Sequence, residues 1–179
     1  VILEASKDLL LTIKKGVMDM STPRSKIAIG MSSTFGDLNF VLGRRHLQLI
    51  EILDNLMKVS SDRVDKLIES LDFYHKIPLI LFNYPWHNIL HNLVYGQLHM
   101  IIDKKDFPLL EKQLFSNPEH LLAPLVTYFR QGRVKIQTKT DKAYTRGYMA
   151  HAKQLTRAIL QSPKKVITDA LENCKLILT

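Results

Sequence analysis

Apolar residues fall along most of this chain at spacings of three and four, the period of one face of an α-helix. Ile2, Leu3, Leu9, Leu10, Ile13, Val17 and Met18 form the first such stripe, with Lys7, Asp8, Lys14 and Lys15 mostly between them, and it stops before Thr22-Pro23. Ser21, Thr22, Ser25, Gly30, Ser32, Ser33, Thr34 and Gly36 mark 21–42 as an exposed connection, with one apolar turn around Ile27. Leu47, Ile50, Leu53 and Leu56 or Met57 predict a second helix after Gly43. Ser60 and Ser61 are cap candidates for a third, with Val64, Leu67, Ile68 and Leu71 as its buried face. Ile77 to Phe82 is almost wholly apolar and, taken alone, suits a strand as well as a helix. Helical patterns flank it and no partner strand is evident, so a helix is expected.

From Trp86 to Asp103, Ile89, Leu90, Leu93, Val94, Leu98, Ile101 and Ile102 predict a long helix buried over most of its surface. Pro108 and Pro118 are expected in the first turns of two helices, near 109–115 and 119–129, where the missing N–H of proline costs nothing. Gly132 should end the second of these. A polar stretch, 131–146, follows as an exposed loop, and helices over 148–160 and 164–178, parted by Pro163, complete the series. Roughly nine helices and no convincing strand make this an all-α chain. Short connections suit antiparallel helix pairs stacked as an armadillo- or HEAT-like α-solenoid. No repeat of fixed period is visible, which keeps an irregular helical bundle as the alternative.

The length, 179 residues, fits one domain that buries a sizeable core. The chain opens at Val1 on an amphipathic pattern without the features of a signal peptide, and 1–179 is expected to be a piece of a longer protein. Apolar runs are too short for the ~20 residues that span a bilayer. The lone Cys174 forbids an internal disulfide and fits a reducing compartment, cytoplasmic with the nucleus as a second possibility.

The net charge of +8 is local. Arg130, Arg133, Lys135, Lys139, Lys142, Arg146, Lys153, Arg157, Lys164 and Lys165 carry ten positive charges against Asp141 alone, whereas the rest of the chain carries fifteen against sixteen. Such a field can attract phosphate, nucleic acid or an acidic protein face. A nucleic-acid-binding helical repeat using Arg130 to Lys165, centred on Arg130, Arg133, Lys135, Lys139, Lys142 and Arg146, is therefore the alternative function. Plainly solvated loop and helix faces remain the favoured reading of such a charge run.

Catalytic chemistry has little support. No Gly-x-Ser-x-Gly turn and no Gly-rich phosphate loop occurs, and Asp62, Asp65, Asp103 and Asp106 sit at helix starts where they complement the macrodipole. His87 and His91 are four apart and could reach one metal ion, but Asn88 stands where a zincin helix has its general-base Glu, and no third ligand is suggested. No metal, no cofactor and no enzymatic activity are expected. The most unusual short feature is Phe82, Tyr84 and Trp86 around Pro85, a sharp helix-to-helix corner in which Pro85 pushes Tyr84 out of helical geometry and Asn88 or His87 caps the next helix.

That corner also carries a resemblance. The segment Phe82-Asn83-Tyr84-Pro85-Trp86-His87-Asn88-Ile89-Leu90-His91-Asn92-Leu93-Val94 resembles the Phe-x-Tyr-x-Trp-Asn-Asn-x-Leu-His segment of the SAPS-domain family. Members of that family are regulatory subunits of type 2A-like Ser/Thr phosphatases, the type 6 enzyme in animals. Leu42-Gly43 followed by Leu47 to Met57 looks like the family's Leu-Gly-led helix, and Thr145-Arg146-Gly147-Tyr148-Met149-Ala150-His151 is similar to its Arg-x-Gly-Tyr-Met-Gly-His-Leu segment. His87 replaces an Asn, Ala150 a Gly and Ala152 a Leu of these patterns. The resemblance covers roughly Leu42 to Leu160, the later part of a longer domain. It implies a helical-repeat subunit that recruits the phosphatase catalytic subunit and directs it to substrates. The partner-binding residues it points to are Tyr84, Trp86, Asn88 and His91 at the corner, and Arg146, Tyr148, Met149 and His151 in the later segment.

Overall fold

The computed structural model describes residues 2–21, 32–33, 36–37, 42–59, 61–104, 107–130, 133–135, 143–145 and 147–178. Among them the chain is all-α, with helices α1 (Ile2–Ser21), α2 (Arg44–Lys58), α3 (Asp62–Ser70), α4 (Ile77–Asn83), α5 (Asn88–His99), α6 (Pro108–Phe115), α7 (Leu122–Arg130), α8 (Met149–Gln161) and α9 (Lys165–Leu178). Two minimal antiparallel ladders accompany them. Strands β1 (Ser32–Ser33) and β2 (Gly36–Asp37) pair within 21–42, and β3 (Arg133–Lys135) and β4 (Ala143–Thr145) pair within 131–146. The apolar turn near Ile27 and the stop at Gly132 lie outside the described residues.

The buried edge of α1 is Leu10, Ile13, Val17 and Met20, so Leu9 and Met18 of the sequence stripe lie at its exposed rims. Gly16 belongs to the same edge because α2 comes close there. A Cβ at Gly16 would stand 2.5 Å from Leu49 Cδ1. In α2 the buried apolar set is Leu49, Ile50, Leu53 and Met57, with Asp54 buried beside them. Ser61 takes the extended N-cap geometry of α3, with no hydrogen bond from its side chain to the helix.

The apolar run Ile77 to Phe82 is helical, with Pro78 in its first turn and Ile77, Pro78, Ile80, Leu81 and Phe82 all buried. Burial on nearly every side explains why its sequence lacks a polar face. α5 packs against α2, α4 and α8, and α1 closes over α2 and α4. α7 bridges α4 and α8, while α6 contacts α3 and α9. Pro118 precedes helix α7 rather than entering it. A turn occupies Pro118–Leu121, the Ala123 N–H donates to the Pro118 carbonyl at 2.8 Å, and Pro124 is the proline within the first helical turn.

The long helix expected to reach Asp103 changes character at Met100, where α5 gives way to a π-helical turn, Met100–Lys104. Widening of this kind leaves carbonyls to be satisfied from outside the helix. Lys164 Nζ donates to Ile101 O at 2.7 Å and Ser162 Oγ to Ile102 O at 3.3 Å, so the turn between α8 and α9 is clamped onto it. Glu111 of α6 pairs with the same ammonium. Deeper in the core, the Tyr74 hydroxyl meets Gln97 Oε1 at 3.2 Å, and Gln97 Nε2 donates to Ile50 O at 3.1 Å. Burial raises the Tyr74 phenol pKa well above its usual value, with Asp54 adding in the same direction. Cys174 is half-buried, and burial raises its thiol pKa too. No helix among the described residues is long and apolar enough to cross a membrane.

Candidate functional site

Pro85 forbids helical geometry at the residue before it, and Tyr84 accordingly leaves α4 at φ −118° and ψ 68°. The chain reverses in one turn, closed by the His87 N–H donating to Tyr84 O at 3.2 Å. His87 then caps α5, its Nδ1 accepting the Leu90 N–H at 3.2 Å. One turn on, His91 reaches back and donates from Nε2 to the same Tyr84 carbonyl at 2.8 Å. A carbonyl can only accept, so the imidazole carries its proton on Nε2.

The segment after the polar stretch meets this corner directly. The Gly147 N–H donates to Pro85 O at 2.9 Å. A Cβ on Gly147 would lie 2.9 Å from that same oxygen, 2.9 Å from Asn88 Oδ1 and 3.4 Å from His91 Cε1. Only glycine lets the two backbones approach this closely. Gly147→Ala is expected to cost about 2 kcal/mol of stability through strain and a weakened hydrogen bond, read as a lowered urea midpoint.

Behind Gly147, Tyr148 is fully buried among rings. Phe82 meets it edge-on at 5.3 Å, Tyr128 at 6.1 Å and His91 at 6.2 Å, and Phe82 stacks on Tyr128 at 4.4 Å. His151, one turn into α8, bonds Asn92 Oδ1 through Nε2 at 2.8 Å and lies 5.8 Å from the His91 ring.

The electrostatics follow from this packing. Burial drives the His91 pKa down to about 4, the nearby His151 and His87 push the same way, and the bond to the Tyr84 carbonyl opposes them in part. Burial also lowers the His151 pKa, against the Gly147 carbonyl. Both imidazoles are therefore neutral near pH 7, and His91 keeps a buried Nδ1 without a hydrogen-bond partner. Burial raises the Tyr84 phenol pKa.

The residues singled out in the sequence separate into two groups. Tyr84, His91, Tyr148 and Met149 are buried and hold the corner together. Trp86 and His151 are half-buried and Asn88 is exposed, so these three reach the surface. Arg146 lies outside the described residues, as do Lys139 and Lys142 of the basic patch. Arg130 is exposed at the end of α7, and Arg133 and Lys135 stand in β3 opposite Thr145 and Ala143. His87 and His91 do not converge, since the first caps α5 and the second bonds Tyr84. No group of three or more His, Cys, Asp or Glu among the described residues could hold a metal.

Gly147 and Asn92 stood in the family-like segments without being singled out, Tyr128 was not named at all, and Ile89, expected on the buried stripe of α5, is 58 % exposed because it lies on the face turned away from α2 and α4. Asn92 was the most accessible of them, being one helical turn beyond Asn88. An open cleft of about 490 Å³ lined by Glu69, Asp72, His75, Lys112, Gln113 and His120 among others lies between α3 and α6. Its histidine rings are 4.9 Å apart, and His120 Nδ1 donates to Gln113 O at 2.6 Å.

Comparison with curated proteins finds no match, and comparison with solved structures finds none. A protein-family comparison matches residues 66–175, which contain the corner, the Gly147 segment and most of α9, while the Leu42 to Met57 stretch falls outside. With well over half of the sequence inside that match, the chain belongs to the SAPS family, the SIT4 phosphatase-associated proteins.

Proposed function

We propose that this chain is a non-catalytic regulatory subunit that binds the catalytic subunit of a type 2A-like Ser/Thr phosphatase and directs it to substrates. Its family consists of phosphatase-associated proteins. The observation that carries the reading to particular residues is the meeting of two family-like segments, 82–94 and 145–151, at one corner through the Gly147 to Pro85 and His151 to Asn92 bonds. Its buried half fixes a shape and its outer half, Trp86, Asn88 and His151, offers that shape to a partner. Trp is the residue type that most often dominates binding energy. Successive helices pack in pairs, α1 on α2, α4 on α5 and α7 on α8. This supports an armadillo- or HEAT-like stack in which outer faces do the work. A cytoplasmic setting belongs to the same proposal.

The test is retention of a purified type 2A-like catalytic subunit on the immobilised chain. Trp86→Ala is expected to weaken retention by about tenfold or more, while circular dichroism stays unchanged. Equal retention by this variant rejects the site. A wild-type chain that retains no catalytic subunit rejects the function.

A further inference from the structure

α8 turns one continuous face outward. Ala150, Lys153, Gln154, Arg157, Leu160 and Gln161 are all exposed and recur at helical spacing, so they form one stripe opposite the buried Met149, Ala152, Leu155 and Ile159. From Lys142 to Thr168 the sequence has six basic residues and no carboxylate. One of the six, Lys164, is spent inside the fold on Ile101 O and Glu111. Lys153, Arg157 and Lys165 remain on the surface, and none of them forms an ion pair among the described residues. Lys153 and Arg157 are four apart on one face, where like charges repel and mildly disfavour the helix. The fold therefore gains nothing electrostatic from them.

Leu160 follows Arg157 on the same stripe and is 67 % exposed, the most exposed large apolar side chain among the described residues. A single surface leucine needs no explanation. A leucine one turn from unpaired cations has the anatomy of a docking strip, with an apolar anchor beside a polar rim.

We infer that the outward stripe of α8, Lys153, Arg157 and Leu160 with Lys165 beyond the turn, docks an acidic protein segment that carries an apolar side chain. The inference rests on the reading of this chain as a protein-binding subunit. It goes beyond the Trp86 corner by naming a separate surface and the chemistry of its occupant. Charge complementarity selects the acidic partner. Leu160 selects a protein over a nucleic acid, because phosphates gain nothing from an alkyl group, and no aromatic side chain on the stripe could stack a base.

Two probes test it on the full chain: a fluorescent glutamate-rich peptide containing one leucine, and the purified phosphatase catalytic subunit. The peptide is expected to bind at low salt and to weaken as salt rises. Lys153→Glu/Arg157→Glu should lower its affinity by about tenfold or more, and Leu160→Ser by about fivefold, with unchanged circular dichroism because all three side chains face solvent. Equal peptide affinity for the wild type and the charge-reversed variant overturns the inference. Duplex DNA that binds more tightly than the peptide, with the same loss on charge reversal, overturns it in favour of nucleic acid. A catalytic subunit that never binds, beside a peptide whose binding depends on the stripe, ends the phosphatase reading and leaves the acidic-docking surface standing.

Discussion

Tyr148→Ala is expected to destabilise the fold by about 4 kcal/mol, the usual cost of deleting a fully buried aromatic side chain. Tyr148 is 0 % exposed and is the ring on which three helices meet. It touches Phe82 from α4, Tyr128 from α7 and His91 from α5. All three contacts are edge-to-face, a geometry that adds to what burial alone contributes. Removal leaves a cavity that the clamped Pro85 to Gly147 backbone cannot collapse to fill. Urea unfolding of the variant should show a midpoint lowered in proportion, and Tyr148→Phe, which keeps the ring, should lose less than half as much. A loss below about 1 kcal/mol for the alanine variant would be incompatible with Tyr148 as the shared ring of this corner.

The second large effect is acid sensitivity centred on His91. Its folded pKa of about 4 lies below the ordinary value of 6.5 that an unfolded chain would show. The unfolded state therefore binds the proton first as pH falls. Stability is fully present above about pH 6.5 and is lost progressively down to about pH 4, to a total of about 3 kcal/mol for this group. His151 and His75, also held low by burial, act with the same sign. The groups facing His91 are the Tyr84 carbonyl and the rings of His87, Tyr148 and His151. No carboxylate is among them to stabilise an imidazolium. His91→Gln, whose amide can still donate to the Tyr84 carbonyl, should flatten the fall between about pH 6.5 and pH 4 relative to the wild type. Parallel falls in urea midpoint for the two proteins would show that His91 is not the group responsible.

Some of this was legible in the residues alone. The α5 stripe appears in the sequence because burial on one face demands apolar residues at three- and four-residue spacing, and Leu90, Val94 and Leu98 meet that demand. The break at Pro85 was legible because a proline's ring acts on its immediate neighbour and needs no tertiary information. Boundaries were less so. Pro118 is as acceptable in a turn as in a first helical turn, and the choice went to Pro124 once α7 had packed between α4 and α8. The π-helical turn at Met100 left no local mark, since the hydroxyl and the cation that satisfy its carbonyls come from Ser162 and Lys164, some sixty residues away.

The candidate site shows the same division. Tyr84, Trp86, Asn88, His91, Tyr148, Met149 and His151 could all be named from two short segments, but not which of them face inward. Hydrophobic periodicity and proline stereochemistry are local, and they determined from the sequence that this chain would be helices joined at tight corners. Only the tertiary structure decided that Gly147 would touch Pro85, that His91 would be buried and neutral, and that Leu160 and Arg157 would be left outside. The reason is physical: burial, close backbone approach and desolvation depend on which distant segment arrives against a residue, and spacing along the chain carries no record of that arrival.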